Sequence, residues 1–349
     1  MAVAFRDITY KNKSLTLHKA TVTPRFNERT VLVTSTWDYV ALWLKRQGKT
    51  EALFFWDQAR HFHDATLSLP KVSAPLTAYY SFLNATKALL LANDLTVGDY
   101  HGVTGATLPG KTALVNEQVE LQAGGVLGAL AKFLSEPTRG EKLPLKDVLY
   151  NLAYIHRTFS LTFTSVPELF IPVKRPRIVR SNRGHESWFC GELEGKYANH
   201  NTIKKLGRSF ERDISVKNSF VVRYRKRFKW EPRRKPASIE RYVAYHRRLR
   251  KRFHYIHSPQ RLWYIKRDGE LPGLESRPSL LLTFAAMHRL SELSRYSPDC
   301  LSRHLEGRNN WLLSEFIAVA PTQFIDELSS ELTGLEFMIP GRASSGGAP

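Results

Sequence analysis

LTAYYSFLNATKALLLA, residues 76–92, is the most apolar run of the chain. Its large apolar side chains fall at the i, i+3, i+4 positions of one helix face; these are Leu76, Tyr79, Tyr80, Leu83 and Leu90. Asn84 and Lys87 interrupt the run, which is also short for a membrane span. The pattern therefore predicts a buried helix inside a protein core, and we expect no membrane partner.

Further helices are predicted on both sides of this run. Residues 36–47 and 50–67 precede it, and a small β element is expected within 97–126. After residue 278, helices are predicted at 279–296, from 298 to before Gly307, at 310–320 and at 321–334, with Thr322 as a cap and Gly334 as a terminator. Amphipathic helices gain most of their stability by burying their apolar stripes. We therefore expect the N- and C-terminal helices to pack together as one body.

Positive charge is concentrated in one segment of the chain. The whole sequence has 52 Lys and Arg against 32 Asp and Glu. Residues 171–270 contain 28 of the basic and 9 of the acidic residues, a net charge of +19, whereas the rest of the chain has a net charge of +1. The same segment contains many aromatic residues, so we expect it to fold, as strands and loops with a helix at 237–252.

These patterns predict a mainly α fold with a β-containing insertion (α+β). Residues 1–170 would form a helical part with a small β element, and residues 171–270 would form a basic, β-rich insertion. Residues 271–340 would supply helices that pack on the first part, and residues 341–349 would be a disordered tail. The N-terminus has no apolar core of signal-peptide length, so we expect a cytoplasmic protein.

The sequence FVVRYRKRFKWEPRRKP, residues 220–236, suggests what the basic segment does. Basic residues occupy the odd positions Arg223, Arg225, Arg227 and Lys229. The even positions are Val222, Tyr224, Phe228 and Trp230, with Lys226 as the only exception. On a β-strand this alternation would give a cationic face and an apolar face, with cations about 6.6–6.8 Å apart, close to the phosphate spacing of an extended single strand. A solvated strand face would show the same pattern.

We therefore predict that the segment binds nucleic acid, either RNA or single-stranded DNA, mainly through phosphate contacts. An acidic protein partner is the alternative that the charge leaves open. The predicted contact residues are Arg223, Arg225, Arg227, Lys229, Arg233, Arg234, Lys235, Arg247 and Arg248.

Several stretches outside the basic segment resemble the YaaC-like family of bacterial proteins. They are WDQARHFHDAT (56–66), PLTAYYSFLNATKALLLA (75–92), YHGVTG (100–105), HRLSELSRYSP (288–298) and NWLLSEFIAVAPTQFIDELSSELTG (310–334). The resemblance brings no established activity with it and supports the fold more than the function. AYYSFLNATKALLLA (78–92) is also similar to the second helix of HEPN domains, some of which cut RNA with an Arg-x4-6-His motif. An HEPN-type ribonuclease is therefore a further hypothesis.

The Arg-x4-6-His spacing itself occurs four times, as Arg180/His185, Arg241/His246, Arg248/His254 and Arg252/His257. A chain this rich in arginine should contain about three such pairs by chance, so the spacing carries little weight. All four pairs also lie in the basic segment and not in the predicted helical body. Catalytic residues therefore stay unknown from sequence.

GATLPGKT, residues 105–112, matches the phosphate-binding P-loop pattern at Gly105, Gly110, Lys111 and Thr112. A P-loop follows a buried strand and opens a helix, whereas this stretch follows a polar turn and leads into the alternating TALVNEQVELQ. We therefore expect a hairpin loop and no nucleotide site. Cys190 and Cys300 have no metal-ligand spacing. No metal and no cofactor are predicted.

Overall fold

The computed structural model describes residues 5–259, 262–268 and 277–339 of the chain. The helices are α1 (Thr36–Arg46), α2 (Thr50–Leu67), α3 (Ala74–Ala92), α4 (Gly125–Phe133), α5 (Leu145–Tyr150), α6 (His156–Thr162), α7 (His200–Lys205), α8 (Lys235–Arg250), α9 (Ser279–Tyr296), α10 (Pro298–Glu306) and α11 (Asn310–Thr333). The strands are β1 (Phe5–Asp7), β2 (Thr9–Tyr10), β3 (Lys13–Ser14), β4 (Val31–Leu32), β5 (Val103–Thr107), β6 (Glu117–Leu121), β7 (Glu141–Pro144), β8 (Phe170–Ser181), β9 (Glu186–Leu193), β10 (Phe210–Arg212), β11 (Phe220–Tyr224), β12 (Phe228–Lys229), β13 (Phe253–Ile256), β14 (Leu262–Lys266) and β15 (Phe337–Met338). The tail predicted at 341–349 lies outside the described residues.

The helix α3 lies at the centre of the larger apolar core. It packs against α2, α9 and α11, and Phe82 stacks on Phe324 of α11 with ring centroids 4.1 Å apart. Most faces of α3 are buried, because its apolar residues are not confined to one stripe. Leucine and alanine predominate in this core, to which α4, α5, α6 and the sheet of β5, β6 and β7 also contribute.

The last long helix is one element and not the two that the sequence predicted. α11 continues through Pro321, so Thr322 lies inside the helix and does not cap one. Proline lacks the N–H that would bond to the carbonyl of Ile317, which weakens the helix locally. Residues on both sides of Pro321 are buried, however, and this packing keeps α11 continuous. The helix ends at Gly334, whose φ of 73° is readily adopted only by glycine.

An antiparallel sheet with its own core forms the second half of the molecule. Six strands follow one another in the order β10-β11-β9-β8-β14-β13, while β1 pairs with β8 and β12 pairs with β9. On one face, rings such as Phe189 pack with Tyr242 and Tyr245 of α8 in a largely aromatic core. On the other face, Trp188 and Val221 belong to a smaller apolar cluster.

The predicted fold class is therefore wrong. Helices account for 46% and strands for 20% of the residues, and the strands form a large curled antiparallel sheet, so the fold is α+β and not mainly α. The terminal helices do not form the body on their own. The larger core includes strands and the helices between residues 125 and 162, and the chain before residue 27 packs on the core of the sheet. Pairing of β1 with β8 joins residues far apart in sequence, which no local periodicity reveals.

Residues 16–22, which we call the strap, run between the two cores. On the sheet side, the strap is bound by side chains of α8. The Tyr242 hydroxyl donates to the carbonyl of Thr16 at 2.6 Å, and the N–H of His18 donates to Nε2 of His246 at 3.0 Å. The main chain of this irregular segment is thus satisfied by side chains in place of a β-ladder.

On the helical side, the strap is bound by carboxylates of α11. Glu331 accepts the N–H groups of Thr21 at 2.6 Å and of Val22 at 3.0 Å. Lys19 forms an ion pair with Asp326 at 2.8 Å, with side chains that are 9% and 3% exposed. The strap therefore joins the aromatic and the aliphatic core through buried polar contacts.

Candidate functional site

The first two cations of the predicted strand face are engaged with carboxylates. The guanidinium of Arg223 in β11 lies 2.7 Å from Glu211 and 3.7 Å from Asp213, which is 1% exposed. Arg225 lies 3.3 Å from the same Glu211. Arg223 is therefore mainly part of an internal network that keeps a buried carboxylate paired.

The next two cations are also paired, but they are more exposed. Arg227 contacts Glu186 and lies over the ring of Trp188, 5.3 Å from its centroid. Lys229 lies 3.1 Å from Glu231. Ion pairs this exposed contribute little to stability and exchange readily for other anions, so both cations stay available to a phosphate.

The single strand predicted across this stretch is interrupted. Arg223 is opposite Cys190 of β9 and Phe228 is opposite Ser187, so residues 224–227 lie opposite 188 and 189 alone. Such an excess of residues on one strand is a bulge, which bends the strand and reorients its side chains. The bulge leaves residues 225–227 exposed at the edge of the strand.

The bulge and the start of α8 carry cations without a carboxylate partner. We call residues 225–235 the basic loop. Lys226, Arg233 and Lys235 in this loop are exposed and form no ion pair with any residue that the structure describes. Arg248, exposed on α8, is likewise unpaired within the described ranges. Arg233, Lys235 and Arg248 belong to the predicted set, whereas Lys226 is not among the predicted contact residues.

Two of the predicted contact residues have other roles. Arg234 is exposed but lies 3.7 Å from Glu231. Arg247 points inward, and its guanidinium donates to the carbonyl of Val22 in the strap at 3.2 Å. The sequence places Arg247 and Arg248 side by side, but the helical geometry of α8 directs the two side chains to different surroundings.

The aromatic residues between these cations do not face solvent. Tyr224 and Trp230 are buried in the aromatic core of the sheet, and Phe228 packs against it. Phe228 stacks with Tyr242 of α8 at 5.6 Å. Base stacking on these rings, as in single-strand binders, would require the core to open.

The four Arg-x4-6-His pairs do not form a common site. His246 and His254 are buried at 0% and 5% exposure, and burial lowers the pKa of each well below its ordinary value. His257 lies 3.2 Å from Asp326 beneath the strap. His185 is exposed, but its partner Arg180 is buried. These histidines mostly support the fold.

GATLPGKT forms a hairpin loop. Gly105 lies in β5, which pairs antiparallel with β6, so the stretch joins two strands and opens no helix. Lys111 and Thr112 are exposed at the tip, and Gly110 has a φ of 135°. Gly105 is needed for another reason, because a Cβ there would lie 2.1 Å from a carboxylate oxygen of Glu292 in α9.

The structure reveals a pocket that the sequence did not predict, between α3, α9 and the chain around residue 101. Its volume is about 130 Å³, and we call it the α3–α9 pocket. Tyr79 comes from α3, and His288, Glu292 and Arg295 come from one face of α9 at i, i+4 and i+7. His101 completes the set. Stretches that carry the family resemblance thus meet in this pocket. The His-x3-Glu-x2-Arg spacing within α9 is the sequence pattern that could have indicated the pocket.

The hydrogen bonding of the pocket fixes the state of its groups. The Tyr79 hydroxyl contacts Nδ1 of His101. Burial, followed by the neighbouring Tyr80, raises the pKa of Tyr79 above its ordinary value, so the phenol keeps its proton. Burial lowers the pKa of His101, and it lowers the pKa of His288 to about 3. Both imidazoles are therefore neutral at pH 7.

Glu292 is held on the wall of this pocket by two donors. It accepts the N–H of Gly105 at 3.2 Å and the guanidinium of Arg289 at 2.9 Å. Nδ1 of His288, 3.9 Å from Glu292, is buried without a hydrogen-bond partner in the described part of the chain. The carboxylate is thus held in place, although it shares the charge of Arg289 with Glu117, while one imidazole nitrogen stays unsatisfied.

A buried cluster lies on the other side of Arg289. Glu117 pairs with Arg289 at 2.7 Å and lies 3.2 Å from Nε2 of His304. Burial opposes the charge of Glu117, but hydrogen bonds from His304, Arg289 and Thr107 lower its pKa to about 2. The carboxylate is therefore ionised and fully engaged.

Glu117, Cys300 and His304 also bring three metal-ligating atoms within 4.8 Å of one another. Oxygen, sulfur and nitrogen donors of this kind suit zinc. A cation would, however, have to share Glu117 with the guanidinium of Arg289 at 2.7 Å, and His304 already directs Nε2 at the same carboxylate. Hydrogen bonding accounts for the three residues, and the residue set does not fit a metal well.

Comparison with known proteins gives one match. A family model described as YaaC-like protein covers residues 16–332 of the 349-residue chain. Neither the search of curated proteins nor the search of solved structures gave a match, and the HEPN resemblance is not shown. Within the described part of the chain, no helix has both the length and the apolar character needed to cross a bilayer.

Proposed function

The chain belongs to the YaaC-like family, and we propose that this member binds single-stranded nucleic acid through the basic loop and the adjoining exposed surface of α8. The observation that carries the proposal is the unpaired state of Lys226, Arg233, Lys235 and Arg248 within the described residues. Cations that only keep a protein soluble need no such concentration in one segment.

The charge distribution supports an anionic partner of extended shape. Residues 171–270 have a net charge of +19, while the remainder of the chain is nearly neutral. A field of one sign over one part of a molecule attracts polyanions and accelerates their association. The carboxylates around the loop, such as Glu211 and Glu231, neutralise part of this charge and set an upper limit on the affinity.

Phosphates are the expected contacts, with little reading of bases. Tyr224 and Trp230 are buried and Phe228 packs against the aromatic core, which leaves guanidinium and ammonium groups as the available contacts. Phosphate contacts position a strand but do not distinguish its sequence. We therefore expect weak sequence preference and strong salt dependence.

The test replaces the unpaired cations of the loop. In the triple variant Lys226→Ser, Arg233→Ser, Lys235→Ser, the slope of log K against log salt for a single-stranded oligonucleotide should fall by about 2, since each lost phosphate contact removes about 0.7. Fluorescence anisotropy at several salt concentrations measures the slope, on RNA and on DNA of the same sequence.

A matched control separates local contact from net charge. Lys45→Ser, Lys71→Ser, Lys132→Ser removes the same charge from exposed positions on the helical side, and the slope should stay as in the wild type. Equal effects of the two triple variants would contradict the proposal. Binding of polyglutamate as tight as that of the oligonucleotide would instead favour an acidic protein partner.

A further inference from the structure

The α3–α9 pocket lies in the helical half, and its chemistry does not depend on the basic loop. Its volume of about 130 Å³ is room for roughly four waters, at about 30 Å³ for each. A group the size of a ribose ring would fill it. The pocket also contains a buried imidazole nitrogen that none of the described residues satisfies, and this group helps to define the ligand.

The inner wall offers two imidazoles. The Tyr79 hydroxyl hydrogen-bonds Nδ1 of His101, which leaves Nε2 of this neutral ring as its second donor or acceptor. Nδ1 of His288, whose side chain is 9% exposed, has no hydrogen-bond partner among the described residues. Leaving such a group unpaired costs stability. A hydroxyl group, which donates and accepts, would satisfy His288 in either tautomer.

The mouth of the pocket carries a cation and an aromatic ring. Arg295 and Tyr296 are both exposed, and the guanidinium lies 5.0 Å from the ring centroid of Tyr296, which is 70% exposed. Arg295 forms no ion pair with a carboxylate in the described ranges, unlike Arg289 one turn and a half earlier on the same helix. Guanidinium binds phosphate in a bidentate manner, and the ring of Tyr296 can stack on a planar base.

We infer that the α3–α9 pocket binds a nucleoside monophosphate, with the phosphate on Arg295, a ribose hydroxyl against His101 and His288, and the base on Tyr296. The repulsion between the phosphate and the carboxylate of Glu292 is reduced by the N–H of Gly105 and by Arg289, whose charge Glu292 shares with Glu117. The inference goes beyond the proposed function, because it concerns another surface and a monomeric ligand.

The experiment titrates the wild-type protein with AMP, GMP, CMP and UMP by isothermal titration calorimetry, with adenosine and ribose 5-phosphate as partial ligands. At least one monophosphate should bind more tightly than both partial ligands. Arg295→Ala should weaken this binding about tenfold, as expected for loss of a charge-assisted hydrogen bond. Arg303→Ala, an exposed arginine of α10 outside the pocket, should not change it.

Two further measurements identify the source of the ligand and separate this inference from the proposed function. Oligonucleotides with and without a 5′-phosphate show whether the pocket takes a free nucleotide or a chain end. The Lys226/Arg233/Lys235 triple variant should keep monophosphate binding, so failure of one proposal leaves the other intact. No binding of any monophosphate at millimolar concentration, or equal binding by Arg295→Ala, would overturn the inference.

Discussion

The two halves of this molecule have cores of different amino-acid composition. Leucine and alanine fill the helical core, and aromatic rings fill the core between the sheet and α8. The helical half shares little of the net charge, while the sheet half carries nearly all of it. Large rings provide much apolar area per residue, which lets a single helix stabilise a curled sheet that also carries many cations.

The join between the halves resembles neither core. The strap lies there, and α11 presents Asp326, Glu327 and Glu331 to it, all of them buried. Burial raises the pKa of Glu327 and of Glu331, whereas hydrogen bonding and the charge of Lys19 hold the pKa of Asp326 low against the same burial. The two apolar cores thus meet at a layer of buried polar groups, formed by the strap and these three carboxylates, which we call the polar seam. Substitutions in the polar seam test it separately from either core.

The largest expected effect comes from breaking the ion pair of the seam. Lys19→Met removes the lysine cation from buried Asp326, which keeps Tyr255 as a donor at 2.8 Å and Nδ1 of His257 at 3.2 Å. We expect the free energy of unfolding to fall by about 3–5 kcal/mol, as for other buried pairs that lose one partner. Urea unfolding followed by circular dichroism measures this loss.

Lys49→Met is the matched control. Lys49 pairs with Asp94, whose side chain is 82% exposed, and exposed pairs contribute at most about 1 kcal/mol. If the two substitutions cost the same, the two halves are not held together by the polar seam.

The second effect is a loss of stability in acid that depends on buried histidine. Burial lowers the pKa of His18 to about 4, and its Nδ1 accepts the N–H of Ala20 at 3.0 Å. Between about pH 6.5 and 4 the unfolded chain therefore binds a proton that the folded chain does not, so stability falls as the pH falls, by up to about 1.4 kcal/mol per unit for one histidine.

Chemical unfolding at intervals from pH 7 to 5 tests this effect in His18→Gln. The slope of unfolding free energy against pH should be smaller than in the wild type, by the contribution of about one bound proton. The raised pKa values of Glu327 and Glu331 act in the opposite direction in both proteins, so the difference in slope is the readout. His61→Gln, exposed on α2, should keep the wild-type slope; an unchanged slope in His18→Gln would contradict the assignment.

The smallest effect distinguishes a cation that supports the fold, Arg223, from an exposed cation, Lys226. Arg223→Ser removes a guanidinium that pairs with buried Asp213, and we expect a loss of about 1–3 kcal/mol, the cost of a buried group left unsatisfied. Lys226→Ser, three residues on and unpaired within the described residues, should change stability by less than about 0.5 kcal/mol. Thermal unfolding of the two variants side by side gives the comparison. Equal losses would place Arg223 on the surface after all.

Local patterns predicted most helices but not their arrangement. The helical period of residues 76–92 and the stop at Gly334 are properties of adjacent residues, and the structure has α3 and the end of α11 there. The two predicted helices on either side of Pro321 are one helix, because burial along α11 outweighs a single missing hydrogen bond. The sequence underestimated the extent of the sheet. Its strands β1 and β8 pair across more than 160 residues of sequence, and a local pattern cannot indicate such a pairing.

The candidate site was predicted only in part for a similar reason. Alternation correctly separated Arg223 from Tyr224 on opposite sides of the chain, but it could not show that Glu211 on another strand would pair with Arg223. The α3–α9 pocket was missed because Tyr79, His101 and His288 come together only in the folded chain. One tyrosine and two histidines in three distant stretches do not indicate a common site, and only the His-x3-Glu-x2-Arg spacing of α9 lies within one stretch.

The strap also determines when the fold can be completed during synthesis. Thr21 bonds to Glu331, a partner 310 residues later. A ribosome adding about 5–20 residues per second takes roughly 15–60 s to make that partner. Until α11 has left the exit tunnel, the strap lacks the carboxylates of that helix and has its contacts with the sheet half, such as those with Tyr242 and Pro176. A product that stops before α11 leaves Lys19 without the carboxylate of Asp326. The contacts between the strap and α11 can therefore form only after the ribosome has synthesised α11.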